Sequence, residues 1–294
     1  MKISVDCALC IFQRGYLEIL EATDDPKIRL EALCALFRLF GENFKPTAVP
    51  AVLGTMRERL IKEVTGNPDP FAEKKRISNI EALKVLPFAE KIVNGESDAA
   101  LRFRKACLAA IVGNIMEFNI PGHKLEFSRL RELLLDAEKE LVIDDIPEAY
   151  RMAQKAKRII YLTDNAGEIA FDTLLVKELK NLAVHGQVIV AVKGKPAYND
   201  ATMEDALFFN MDKAADLVTT IGTDTMGLIP SECSREFLDL YESADFVVAK
   251  GMAYAETLTE LELKAPHFLL LRSKCMNVAN FFHVPRNRNI AKII

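Results

Sequence analysis

The sequence lacks the features that mark several common functions. Where an apolar run first closes on polar residues, the chain reads Asp164-Asn165-Ala166-Gly167-Glu168, so the glycine series that admits a dinucleotide pyrophosphate is missing. Lys193-Gly194-Lys195 has neither the spacing nor the following Ser or Thr of a phosphate-binding P-loop. Both absences weaken a nucleotide-dependent reading, and a methyltransferase reading with it. There is no excess of positive charge: Lys and Arg number 38 against 42 Asp and Glu, for a net charge of -4. A nucleic-acid surface needs clustered bases, so the expected partners are small molecules. No apolar run approaches the ~20 residues of a membrane span. The opening MKISVDCALC has no apolar segment with a small-residue cleavage site. These points predict a cytoplasmic protein with no membrane partner. The six cysteines are scattered and form no disulfide framework, so reduced thiols are expected. His123, His185, His267 and His283 show no metal-ligand spacing. No internal repeat, low-complexity tract or Pro/Gly/Ser-rich linker is present.

Half of the 294 residues are hydrophobic, enough for one large domain or two ordinary ones. The hydrophobic period changes near residue 150. Before it, helical spacing is found over 28–40, stopping at Gly41, then over 46–61 and 77–93 after a break at Asn67-Pro68-Asp69-Pro70. It continues over 99–118, ended by Pro121-Gly122, over 128–141 and over 147–156, which predicts a region of six or seven helices across 1–150. After it, short apolar runs at 158–163, 187–193, 216–221, 245–249 and 267–272 alternate with helical stretches at 171–182, 201–209, 231–242 and 254–262. That alternation predicts βαβ units across 151–294, hence an α/β class with a mostly parallel sheet covered on both faces.

Each predicted strand ends in polar or glycine-bearing sequence: Asp164-Asn165 through Glu168, Lys193-Gly194 through Asp200, Gly222-Thr223-Asp224, Lys250-Gly251, and Arg272-Ser273-Lys274. One Asp-Asn pair in a loop is explained as readily by helix capping. Five such ends brought to one edge by parallel strands are not, because chain reversal needs no such charge set. Converging Asp, Glu and Lys side chains suit a divalent metal held by oxygen ligands together with a phosphate group.

Two features in the helical half bear on function. Cys7-Ala8-Leu9-Cys10 places two thiols on one helix face, continued by Arg14. A redox pair, a second metal site and two buried small residues are the open readings, with two of four structural zinc ligands absent. Asn114 falls on the otherwise apolar stripe Cys107, Ile111, Phe118. It is either a satisfied core amide or one delivered to a ligand.

Taken together, Asp164-Asn165-Ala166-Gly167-Glu168, Lys193-Gly194-x-Pro196, Asn199-Asp200-Ala201-Thr202, Gly222-Thr223-Asp224 and Ala249-Lys250-Gly251 through Glu256 resemble the damage-control phosphatases. Cys7 and Cys10 are similar to the cysteine pair that marks an archaeal and bacterial branch, and the likeness extends to Asp69-Pro70 and Gly113-Asn114. The resemblance implies a helical region preceding a Rossmann-like three-layer α/β/α domain. It also implies metal-dependent hydrolysis of small phosphorylated metabolites such as sugar phosphates. By motif, Asp164, Asn165 and Asp200 match the ligands of a divalent cation (Mg, Mn, Ni or Co), while Lys250, the loop from Gly251 to Glu256, and Lys274 match substrate contacts. Asn114 and Lys193 join the expected substrate-binding set. Asp224 or Glu168 is expected to orient water or protonate the leaving oxygen, and Asp164 suits either a ligand or a nucleophile. The alternative is a protein that binds a metal and an anionic metabolite without turnover, with the cysteine pair as a redox or metal sensor.

Overall fold

The computed structural model describes residues 1–114 and 129–294. In chain order the helices are α1 (Val5–Ala22), α2 (Pro26–Asn43), α3 (Pro50–Thr65), α4 (Ala72–Asn94), α5 (Ala99–Gly113), α6 (Leu130–Asp136) and α7 (Ile146–Lys155), followed by α8 (Ile169–Leu182), α9 (Met203–Phe208), α10 (Met211–Ala214), α11 (Arg235–Glu242), α12 (Gly251–Leu258) and α13 (Met276–Phe281). The strands are β1 (Leu141–Asp144), β2 (Arg158–Leu162), β3 (Gln187–Val192), β4 (Leu217–Thr220), β5 (Phe246–Lys250), β6 (His267–Arg272) and β7 (Asn289–Ile293).

One seven-stranded sheet carries the order β1-β7-β6-β5-β2-β3-β4. All pairings are parallel except β6 with β7. From β2 the chain winds outward through β3 to β4, then returns to β5 on the other side of β2 and winds through β6 to β7. The winding therefore reverses between β2 and β5, and a crevice opens at such a point beyond the strands' carboxyl ends.

The central strands read as continuous apolar runs because both faces are covered. Alternate residues go to opposite faces. Ile159, Tyr161, Val188, Val190, Phe246 and Val248 pack in one core with α5, α7 and α8. Ile160, Leu162, Ile189, Ala191, Val247 and Ala249 pack in the other with Phe237, Tyr254 and Val278 of α11, α12 and α13. The first three helices form a smaller cluster around Ile19, Ala32, Leu36 and Ile61, and α3 lies against α12.

The α/β class with a helical N-terminal region and a mostly parallel sheet is as the residue pattern predicts, and each of the five strand runs matches a strand. Four elements differ. The strand β1 begins at the last residue of the predicted helix over 128–141 and fills the gap before the next at 147–156, and β7 and α13 lie beyond residue 272, where the pattern predicts no element. The helix α2 continues through Gly41 to Asn43, where a solvent-facing glycine has nothing to collide with. The ends placed at Phe118, Pro121-Gly122 and Ser128, and His123, fall outside the described residues.

Candidate functional site

The site is assembled from the loops that follow β2, β3, β5 and β6. The β2 and β3 loops pair with each other as a short antiparallel ladder: Ala201 N donates to Asp164 O at 2.7 Å and Ala166 N to Asn199 O at 2.8 Å, with Asn165 opposite Asp200. Residues directly opposite across such a pair have Cβ atoms roughly 4.5 to 5.5 Å apart. The ladder thus joins Asp164, Asn165 and Asp200, and all three line one cavity of about 340 Å³.

The helical half holds these loops in place. Asn79 of α4 clamps two of them, its Oδ1 accepting from Gly167 N and its Nδ2 donating to Asp205 Oδ1, both at 2.7 Å. Glu58 of α3 accepts from Tyr198 N at 2.6 Å, and Lys62 donates to Pro196 O at 2.5 Å. Gly251 closes the β5 side with φ +80°; a Cβ there would stand 1.8 Å from Asp164 Oδ2. Only glycine meets both conditions.

Asp164 is fixed by amides. Asn114 Nδ2 donates to Asp164 Oδ2 at 2.6 Å and to Glu168 Oε2 at 3.0 Å. Asn165 Nδ2 donates to the same two oxygens at 2.9 and 2.7 Å. Asn114 is therefore bonded to two acids of the site, and it does not itself line the cavity. Behind these amides lies a fully buried ion cluster in which Lys250 Nζ donates to Glu168 Oε1, to Asp172 Oδ1 at 2.8 Å and to Ala110 O at 2.9 Å. Burial works against the Lys250 charge, but the two carboxylates outweigh it and raise its pKa. Burial likewise lifts Asp172 to about 6, against the pull of Lys250.

Of the residues singled out in the sequence, Asp164, Asn165, Asp200, Glu256, Lys274, Cys7 and Cys10 line the cavity, whereas Glu168, Asn114, Lys193, Lys250 and Asp224 do not. The expectation that Lys250 contacts substrate meets a lysine whose three donors are all engaged. Lys193 sits beneath the wall, donating to Gly227 O at 3.1 Å and Tyr254 Oη at 3.2 Å, with Asp200 Oδ2 at 3.4 Å. Asp224 is paired with Arg59 at 2.5 Å; part burial works to raise its pKa, but the Arg59 guanidinium keeps it below the usual range. Glu168 is completely buried against Asn114, Asn165 and Lys250.

Cys275 joins Cys7 and Cys10 on the cavity wall. None of the six cysteines is in a disulfide, and burial raises the pKa of Cys7 and pushes that of Cys275 up to about 12. Among the described residues no three His, Cys, Asp or Glu side chains are grouped to hold a metal ion. The set at the ladder consists of two carboxylates and an amide.

Sequence reasoning did not assign Arg57, Tyr198, Asn199 or Arg286 to the site, yet all four line the cavity, as does Arg14. Arg14 left a trace, four and seven residues beyond the cysteines on the same face. Arg57 left none, because one arginine in a charged amphipathic helix resembles its solvated neighbours.

A doubly wound sheet whose switch-point crevice is lined by acids, an amide and bases belongs to the class of α/β proteins that bind small charged ligands. Within that class the chain belongs to the damage-control phosphatase family: residues 3–290 match the model described as the Damage-control phosphatase ARMT1-like domain. It is 37% identical over 295 residues to a damage-control phosphatase of Archaeoglobus fulgidus, covering all of both chains. To a damage-control phosphatase of Pyrococcus horikoshii it is 31% identical over 286 residues, covering 97% of this chain and 96% of that one. The crystal structure of a DUF89 family protein from Pyrococcus horikoshii superimposes with a TM-score of 0.88, covering 99% of this chain and 98% of the other at 31% identity.

Proposed function

We propose that this protein is a metal-dependent phosphomonoesterase acting on small phosphorylated metabolites. The observation that carries the proposal is the junction of Asp164, Asn165 and Asp200 with Lys274 in one cavity at the switch point. The donor set suits a hard divalent cation. Asn165 directs its Nδ2 to Asp164 and Glu168, which reserves its amide oxygen, beside two carboxylates, for a ligand. When bound there, the cation supplies Lewis-acid neutralisation of phosphoryl charge.

The remaining steps are assigned to the chain's own side chains. Lys274, only 2% exposed and on the cavity wall, binds the phosphoryl oxygens as a charge-assisted donor. Arg286, whose Nε donates to Lys274 O at 2.7 Å, stands next to it. Of the other carboxylates on the wall, Asp6 is exposed and Glu256 buried. Glu256 is therefore the group to exchange a proton with water or the leaving oxygen. Glu168 and Lys250 act as positioning residues, and Asn114 transmits their order to Asp164. Asp164→Asn and Asp200→Asn should each lower phosphate release at least a hundredfold, assayed with added Mn²⁺ on p-nitrophenyl phosphate and a sugar-phosphate panel. Wild-type activity in either variant removes the proposed metal site.

A further inference from the structure

The phosphatase reading leaves unused the part of the cavity wall contributed by α1 and α3. Arg57 is 2% exposed; its Nε donates to Glu18 Oε2 at 3.1 Å, while its Nη2 is buried without a hydrogen-bond partner among the described residues. Its position is prepared by Gly15 of α1, where a Cβ would lie 2.9 Å from Arg57 Cδ. Both Arg57 and Arg14 stack on Tyr198, their guanidinium carbons 5.3 and 4.8 Å from the ring centroid. Tyr198 takes the left-handed conformation, φ +52°, two positions before Asp200. The residue between them, Asn199, is 1% exposed, and its Nδ2 is also buried with no partner among the described residues.

Two buried donors left unsatisfied, both in residues that line the cavity, are costly unless a ligand supplies acceptors. One of them belongs to a permanent cation, which selects an anion. Glu18 offsets Arg57 only in part near neutrality, because burial raises its carboxyl to about 7. A cavity of about 340 Å³ also has room for more than a phosphate group.

We propose that Arg57, Arg14 and Asn199 form a second anion subsite beside the phosphoryl site, so that the substrate is a phosphate ester bearing a second anionic group, a carboxylate or a second phosphate. This rests on the phosphatase reading for the first site, and two matched pairs of probes separate the two claims. Glycerol 3-phosphate and 3-phosphoglycerate differ at one end by a carboxylate; fructose 6-phosphate and fructose 1,6-bisphosphate differ by a phosphate. In the wild-type protein with Mn²⁺, the doubly anionic member of at least one pair should show a kcat/KM at least tenfold higher, and the pair that discriminates identifies the group. Arg57→Lys should reduce that ratio to below threefold. Arg14→Gln, at a half-buried position outside the core, should do the same should the Arg57 variant not fold. Ratios within twofold in both pairs, or a ratio unmoved in Arg14→Gln, overturn the subsite while leaving the phosphatase reading intact. If no probe releases phosphate, calorimetric titration decides. Tenfold tighter binding of a doubly anionic probe sustains the subsite without the phosphatase reading, and equal binding within each pair overturns it.

Discussion

Replacing Gly251 by alanine should disable the site from a position that contributes no functional group. The added Cβ would lie 1.8 Å from Asp164 Oδ2 and 2.3 Å from its Cγ. Ordinary contact begins near 3.5 Å, so one partner must retreat by more than an ångström. Asp164 is held by Asn114 at 2.6 Å and Asn165 at 2.9 Å, and moving it breaks at least one charge-assisted bond worth about 1.5 to 3 kcal/mol. Holding alanine at φ +80° adds about 1 to 2 kcal/mol. The sum, about 2.5 to 5 kcal/mol, corresponds to a fall in Tm on the order of 10 °C for a chain of this size. A catalytic carboxylate displaced by an ångström costs on the order of a hundredfold in rate. Thermal unfolding and Mn²⁺-supplemented phosphate release measure the two effects. Gly41→Ala, where a Cβ meets nothing within 4 Å, is the control and should leave both unchanged or raise Tm slightly. A Gly251→Ala protein with kcat/KM within twofold of wild type and Tm within 2 °C would refute the claim that the β5 turn shapes the position of Asp164, the proposed metal ligand.

Two further predictions concern buried charge. Lys250→Met strands Glu168 and Asp172 without their cation and should cost about 3 to 5 kcal/mol at pH 7.5. The deficit should shrink at pH 5, where Asp172, lifted to about 6, has taken a proton; a deficit that grows on acidification contradicts the assignment. Glu18 is lifted from 4.5 to about 7 in the folded protein, chiefly by burial and against Arg57. The folded state therefore binds this proton more tightly than the unfolded chain, and the associated stability is complete below about pH 4.5 and lost as pH rises through 7. Urea unfolding from pH 5 to 8 should show wild type losing stability relative to Glu18→Gln across that window. Parallel curves for the two proteins would remove Glu18 as the titrating group.

Legibility in the sequence followed the kind of signal each residue leaves. The strands β2, β3, β5 and β6, buried on both faces, announce themselves as unbroken apolar runs. The edge strand β1, Leu141-Val142-Ile143-Asp144, alternates half-buried with exposed positions over four residues and merges with the end of a helical pattern. At the site, Asp164, Asn165 and Asp200 were readable because strand ends collect at one edge of a parallel sheet. The side chains that converge behind them were not. Lys250 and Lys274 look alike as lysines that follow a strand run, yet one is consumed inside the protein by Glu168 and Asp172 and the other borders the cavity. Asn79, Glu58 and Lys62 belong to distant helices and reach the loops only through packing that no local period encodes.

Among the described residues, the edge strand β1 has a hydrogen-bonded neighbour in β7 alone. During vectorial synthesis, residues 141–144 must wait for residues 289–293 to leave the ribosome before their ladder can form. The chain therefore closes this side of its sheet last, across a loop of about 150 residues, and such high contact order slows folding. Until then the outward side of β6 is an open strand edge, a site for mispairing and aggregation that a chaperone or rapid completion of the chain must cover.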